Sequence, residues 1–281
     1  MHVGVFYFPT AYAIEMGELA QGLEARGLES LFLCEHTHIP LSRRTPFPSG
    51  GELPNRYKHS YDPFVSLSFA AAVTRSLKLG TGICLVPQRD PIVTAKAVAT
   101  LDRLSNGRFI FGVGGGWNAD EMENHGTRYE DRFKILRERV LAMKALWTEE
   151  EASFHGEYVN FDPAWSYPKP VQRPHPPIVL GGETDHTLKR IVDYCDGWFP
   201  RGGPDFDPAV AVKRLKDACA QAGRDFDAMT ITVFRAPPDA GVLRRYADAG
   251  ITRVLLDVPD EGRDKILPLL DSYAALVQRV A

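Results

Sequence analysis

The chain has 281 residues, with 33 Lys and Arg against 36 Asp and Glu and a formal charge of −3. Hydrophobic residues at 44% and charged residues at 25% exclude a disordered or low-complexity scaffold. The near-neutral balance gives no electrostatic basis for binding nucleic acid or an anionic membrane surface. Cys34, Cys84, Cys195 and Cys219 lie far apart with no C-x-x-C pair. Neither a disulfide framework nor a zinc ribbon is supported, and scattered reduced thiols predict a cytoplasmic protein.

In chain order, the apolar start HVGVFYF has no basic region before it and stops at Pro9. It reads as a first buried strand and not as a signal peptide. From there, short apolar runs alternate with helix-spaced segments. The strand-like runs cover residues 3–8, 31–34, 77–86, 108–113, 177–180, 197–199, 230–234 and 254–258. The helical segments that follow them cover 14–26, 63–74, 92–104, 129–147, 185–193, 208–222, 240–249 and 265–280. Continuously apolar strands are those of a parallel sheet covered on its faces. Eight βα units in this length predict one (β/α)₈ barrel domain over residues 1–281, with an open doubly wound sheet as the alternative. No apolar run approaches the roughly 18 residues that a membrane-spanning helix needs.

Two insertions interrupt the alternation. Residues 37–60, after strand two, are rich in proline and glycine and carry Arg43, Arg44, Arg56 and Lys58. Residues 149–176, before strand five, hold a hairpin-like SFHGEYVNF and then the proline-rich WSYPKPVQRPHPP. Long loops in compact domains are commonly functional. The first of these follows the C-terminal end of a strand, where barrel enzymes place substrate loops.

The residues at the strand ends therefore carry the candidate chemistry. They include Glu35, His36 and His38 after strand two, and Gly82 and Ile83 within the run of strand three. GVGGG at 112–116, followed by Trp117, comes after strand four; Gly181 and Gly182 follow strand five and Arg201 strand six. GGETD at 181–185 opens a helix, with Thr184 or Asp185 as its N-cap, and the free N–H groups there suit an anion. GVGGG does not open a helix, so it reads as a backbone-donating rim rather than a dinucleotide fingerprint. His36-x-His38 raises a metal hydrolase, but among the other strand ends only Asp257 offers a ligand, so no metal is expected. Histidine titrates near neutrality, and Glu35 beside it suits proton or hydride chemistry.

Six segments, in order over residues 3–203, carry a resemblance. They are CEHTHIP (34–40), YDPFVSLSFAAAVTRSLKLGTGI (61–83), PIVTAKAVATLDRLSNGRFIFGVGGGWN (91–118), RFKILRERVLAMKALW (132–147), FHGEYVNF (154–161) and PPIVLGG (176–182). The chain resembles the bacterial luciferase-like flavin oxidoreductases, and within them most closely the F420-dependent branch. The resemblance implies an oxidoreductase that moves a hydride between the deazaflavin F420 and a small organic substrate. An FMN-dependent monooxygenase using oxygen is the alternative, and a non-catalytic flavin-binding protein a third reading. It also implies a cofactor site built from Glu35, His36, Gly82, Ile83, Gly114, Gly115, Gly181, Gly182, Glu183, Thr184 and Arg201. Within that site the phosphate meets 181–184, a non-proline cis peptide joins Gly82 to Ile83, and Glu35 and His36 lie against the ring as the catalytic pair. Some deazaflavin dehydrogenases carry a glutamate where this chain has Trp117. Glu121 is the nearest acid, so the sugar-phosphate chemistry of those relatives is not implied. The acidic tail of F420 would favour Arg43, Arg44, Arg56, Lys58 and Arg201. Barrels of this family pair through outer helices, and the apolar helix PFVSLSFAAAV predicts a homodimer.

Overall fold

The computed structural model describes residues 1–280. Eight parallel strands close into a barrel: β1 (His2–Tyr7), β2 (Ser30–Leu33), β3 (Lys78–Thr81), β4 (Phe109–Val113), β7 (Ile178–Gly181), β8 (Gly197–Phe199), β9 (Thr230–Phe234) and β10 (Arg253–Val258). The strands neighbour one another in chain order, and β1 pairs with both β2 and β10. Eight helices cover the outside: α1 (Met16–Ala25), α2 (Pro63–Val73), α3 (Pro91–Leu104), α5 (Arg132–Thr148), α6 (Asp185–Tyr194), α7 (Pro208–Ala222), α8 (Ala240–Asp248) and α9 (Arg263–Gln278). The predicted (β/α)₈ barrel is therefore the observed fold. Among the described residues no helix is long and apolar enough to cross a membrane.

Side-chain alternation divides the strands between two cores. Phe6, Phe32, Ile110, Val179 and Leu255 point inward and, with Phe8, Cys34 and Phe199, fill the barrel. Their neighbours in sequence, such as Val5, Leu31, Phe109 and Leu256, face outward and pack beneath the helices. Size is matched across the interior. A Cβ on Gly80 would lie 2.4 Å from the Phe32 ring, so the glycine makes room for that phenyl group.

Local signals explain most helix starts. Asp62, Asp90, Thr184, Asp207 and Asp239 each accept a hydrogen bond from a backbone N–H in the first turn of the following helix, and proline occupies the first position of α2, α3 and α7. Of the two N-caps considered for 181–185, Thr184 is the one used.

Three features differ from the sequence reading. The apolar run 77–86 is not one strand. β3 stops at Thr81, the Gly82–Ile83 peptide is cis, Cys84 makes a single parallel bridge to Val113, and Val86–Gln88 forms a 3₁₀ turn. The helix read as 129–147 begins with a 3₁₀ turn, Tyr129–Asp131, and becomes α-helical only at Arg132. Between β4 and that turn lies a helix absent from the prediction, α4 (Ala119–Asn124), capped by the Asn118 side chain.

The insertion 149–176 lies on the outside. Its hairpin, β5 (Ala152–His155) and β6 (Asn160–Ala164), sits on α5, where the Glu138 carboxylate accepts from the N–H groups of Glu157, Tyr158 and Val159. The proline-rich stretch is held by the fully buried Asp102, which accepts from Val171 N, Gln172 N and Gln172 Nε2. Val65, Phe69 and Val73, four residues apart on α2, and Ile92 and Val93 at the start of α3 are exposed apolar side chains.

Candidate active site

The C-terminal ends of the barrel strands surround a cavity of about 340 Å³. That size falls within the range of small-molecule sites. Its lining includes Glu35, His36, Gly82, Ile83, Gly114, Gly115, Gly181, Gly182 and Arg201. Nine of the eleven residues expected to form the site therefore meet in one place. Glu183 and Thr184 do not line it. The Glu183 carboxylate accepts from Arg201 N, and Thr184 is occupied in capping α6.

One wall is backbone. Gly82 N donates to Leu33 O, Cys84 N to Gly112 O and Gly114 N to Cys84 O, so the segment after β3 is fastened to β2 and β4. The Ile83 side chain lies against two glycines. A Cβ on Gly114 would lie 1.9 Å from Ile83 Cδ1, and one on Gly181 3.3 Å from Ile83 Cγ2. Glycine at these positions leaves room for the Ile83 side chain.

The other walls are aromatic. Phe6 and Phe234 meet edge to face at 4.6 Å, while Tyr57 packs on Phe8 at 4.8 Å and on His36 at 5.2 Å. Trp117 stands edge-on to His36 at 5.8 Å, and Phe47, from the insertion after β2, covers both Tyr57 and Trp117. Burial raises the Tyr57 phenol above its usual range, which keeps it protonated as a hydrogen-bond donor. Cys34 also lines the cavity, and burial pushes its thiol far up, so no thiolate nucleophile is available there.

The two residues of the expected acid–histidine pair have separate partners. Glu35 is 3% exposed. Its carboxylate accepts from Leu85 N at 2.6 Å and from Arg89 Nε at 2.5 Å, and Arg89 continues to Asp62, the cap of α2. Desolvation opposes the charge on Arg89, but the adjoining Glu35 carboxylate outweighs it and raises the guanidinium pKa. Glu35 thus braces the segment after the cis peptide. The carboxylate that serves His36 is Glu121, whose Oε2 lies 2.7 Å from His36 Nδ1. The Glu121 side chain is wholly buried and that of His36 is 7% exposed.

Helix α4 places that acid. Asn118 caps it by accepting from Glu121 N. Asp120 beside it gathers Ser42 Oγ, Arg44 N and Thr45 Oγ1 from the insertion after β2. Asn followed three residues later by Glu is a helix-start pattern, and it was the signal for α4 in the sequence.

Sequence reasoning also missed Phe133 at the start of α5. Its ring lines the cavity and lies between two guanidiniums, Arg132 at 4.6 Å and Arg190 at 3.8 Å. Among the described residues neither arginine has a carboxylate within ion-pair distance. Two cations thus stand beside the wall formed by Gly115 and Phe133, a setting that favours an anion. Of the basic residues after β2, Arg44 pairs with Asp120 and Glu123, and Arg56 lies over Phe8 and 3.8 Å from Asp260. Arg43 stands 6.0 Å from the Trp117 ring, and Arg201 and Arg235 line the cavity.

The family model for luciferase-like monooxygenases matches residues 1–251. The chain belongs to this family. It is 42% identical over 281 residues to protein Rv0953c of Mycobacterium tuberculosis, covering 98% of each chain. It is 29% identical over 198 residues to an FMNH(2)-dependent dimethylsulfone monooxygenase of Pseudomonas putida, covering 69% of this chain and 52% of that one. Its fold is similar to that of an F420-dependent secondary alcohol dehydrogenase solved with an F420-acetone adduct, with a TM-score of 0.76, 18% identity and 100% of both chains covered. As a member of a family of oxidoreductases and monooxygenases, the protein is an enzyme of that broad class.

The bracing role of Glu35 is testable by stability. Replacing Glu35 by Gln leaves Arg89 facing a neutral buried partner, and the expected loss is about 1–3 kcal/mol, read from the urea midpoint. An unchanged midpoint would show that the segment after the cis peptide stands without the carboxylate.

Proposed function

We propose that the protein transfers a hydride between a deazaflavin of the F420 type and a small organic substrate at this cavity. The observation that carries the reading is the His36–Glu121 pair, a nearly buried imidazole in the wall of an aromatic and glycine-lined cavity, held by a buried carboxylate behind it. Hydride chemistry on an alcohol or carbonyl needs a proton carrier beside the reacting carbon.

The lining fits a tricyclic ring. Ring atoms would rest against the Gly82–Ile83 peptide, above the floor formed by Phe6 and Phe234. A phosphate would be held by the Gly181–Gly182 turn together with Arg132 and Arg190, and an acidic tail would meet Arg43, Arg201 and Arg235. Once bound, the deazaflavin supplies a carbon that carries two electrons as hydride and reacts poorly with oxygen. The protein's own part is proton handling and positioning. Glu121 takes His36 Nδ1, which leaves Nε2 as the ring nitrogen without a partner among the described residues. Nε2 accepts the hydroxyl proton as the substrate loses hydride, and returns it in the reverse direction. The Glu121 carboxylate stabilises the imidazolium so formed. Trp117, Tyr57 and Phe47 bound the substrate space and keep water from it.

The second reading, reduced FMN with oxygen in a monooxygenase, is favoured by the likeness to the P. putida enzyme. Parallel titrations of the purified protein with F420 and FMN decide between them. F420 is expected to bind more tightly, with an advantage that shrinks as added salt screens the exposed arginines. Equal or tighter binding of FMN, with oxygen consumed by its reduced form, would reverse the assignment.

His36→Ala is expected to lower the rate of F420 reduction by small alcohols by about 10²–10⁴-fold, with little change in cofactor affinity. Full activity in that variant would remove His36 from the chemistry.

We also propose that two copies pair through the exposed apolar side chains of α2 and α3, Val65, Phe69, Val73, Ile92 and Val93. An exposed apolar patch of this kind marks an interaction face, and twofold pairing is the commonest closed arrangement. Light scattering at micromolar concentration is expected to return twice the 31.3 kDa chain mass. A single-chain mass would exclude pairing.

A further inference from the structure

The hydrogen bonds of Glu121 do not end at His36. Its other oxygen, Oε1, accepts from Thr37 N at 3.0 Å and from Thr37 Oγ1 at 3.4 Å. Thr37 Oγ1 in turn lies 2.7 Å from His125 Nε2 and 2.9 Å from His38 Nδ1. His38 Nε2 is 2.8 Å from Asn124 Nδ2, and the His38 and His125 rings are 5.5 Å apart. His36 lines the cavity, whereas Thr37, His38, Glu121, Asn124 and His125 do not. Thr37, Asn124 and His125 are exposed. An unbroken polar path therefore runs from the cavity wall, through a fully buried carboxylate, to solvent-exposed side chains that do not line the cavity.

We propose that His36, Glu121, Thr37 and His125 form a proton relay through which His36 exchanges its proton with bulk water while the cavity is occupied. The proposal rests on the reading of His36 as the proton carrier. With cofactor and substrate filling the cavity, and Trp117 and Tyr57 packed on the imidazole, a proton taken up at Nε2 has no direct way to water. The relay supplies one and conserves protons at each step. The imidazolium gives its Nδ1 proton to Glu121 Oε2. The resulting carboxylic acid, turned about its Cγ–Cδ bond, passes the proton to Thr37 Oγ1 as that hydroxyl gives its own to His125 Nε2. His125 then releases its Nδ1 proton to water, so one proton taken up at His36 Nε2 is matched by one released. Glu121 and Thr37 return to their starting states, and the two imidazoles, left with their proton on Nε2, regain the Nδ1–H form by exchange with water once the cavity empties. Partial desolvation, followed by the nearby His38, lowers the pKa of His125, so its ring is neutral near pH 7, and in the Nδ1–H tautomer its Nε2 has a lone pair to accept with. A carboxylate that only fastened the loop would be satisfied by Thr37 N and His36 alone, and would need neither the hydroxyl nor the histidines beyond it.

The relay is read without substrate or cofactor, by the rate at which the His36 Nδ1 proton of the full, ¹⁵N-labelled chain exchanges with water. In Thr37→Val this exchange is expected to slow by at least about tenfold, the effect of losing one hydrogen-bonded link. Thr37→Ser is expected to restore it, and the low-field position of the Nδ1 proton, set by Glu121, is expected to be the same in both. The double variant His38→Phe/His125→Phe leaves the Thr37–Glu121–His36 contacts in place and is expected to slow exchange as well. Wild-type exchange in either Thr37→Val or the double variant would overturn the relay. Slowed exchange in both, with full F420 reduction by His36→Ala, would keep the proton path and reject the catalytic reading of His36.

Discussion

Closure of the sheet, with β1 hydrogen-bonded to β2 on one side and β10 on the other, is the constraint on which the rest of the molecule depends. Parallel pairing all the way round sends the eight C-terminal strand ends to one rim. Phe6, His36, Ile83, Gly114, Gly181, Arg201 and Phe234 come from seven different strand ends and line one cavity because of it. Closure also sets the sizes of the inward side chains. Gly80 accommodates Phe32, and higher in the barrel Phe6 and Phe234 form the apolar floor on which the site is built.

Above that floor the loops are organised by buried acids rather than by apolar packing. Irregular backbone has N–H groups that must find partners when water is excluded. Glu35 supplies them for the segment after β3, Asp120 for the insertion after β2, and Glu121 for the backbone at Thr37. Asp102 and Glu138 do the same for the second insertion on the outer wall. The fastening is alike, but its consequences differ with position. The first insertion is drawn over the strand ends and contributes Phe47 and Tyr57 to the cavity. The second is laid on α3 and α5, and none of its residues reaches the site.

The division of labour between Glu35 and Glu121 follows from the same economy of partners. A carboxylate that already accepts from Arg89 and a backbone amide is poorly placed to exchange protons with a neighbour. Glu35 is adjacent to His36 in sequence, but successive residues at a strand end point to opposite sides. The acid that reaches the imidazole comes instead from a one-and-a-half-turn helix beyond β4.

The barrel was legible in the sequence because its cause is local and repeated. Eight apolar runs each followed by a helix-spaced segment admit few other arrangements, and the glycines at the ends of those runs mark where backbone must come close to something. Nine of the expected site residues meet in the cavity for that reason. What only the tertiary structure decided were the contacts between loops from different βα units. The partner of His36, the use of Glu183 and Thr184 within their own turns, the placing of Phe133 between Arg132 and Arg190, and the polar path from Glu121 to His125 depend on distances between segments far apart in the chain. Periodicity within one segment carries no information about such distances, since they are set by how the closed sheet brings neighbouring loops together.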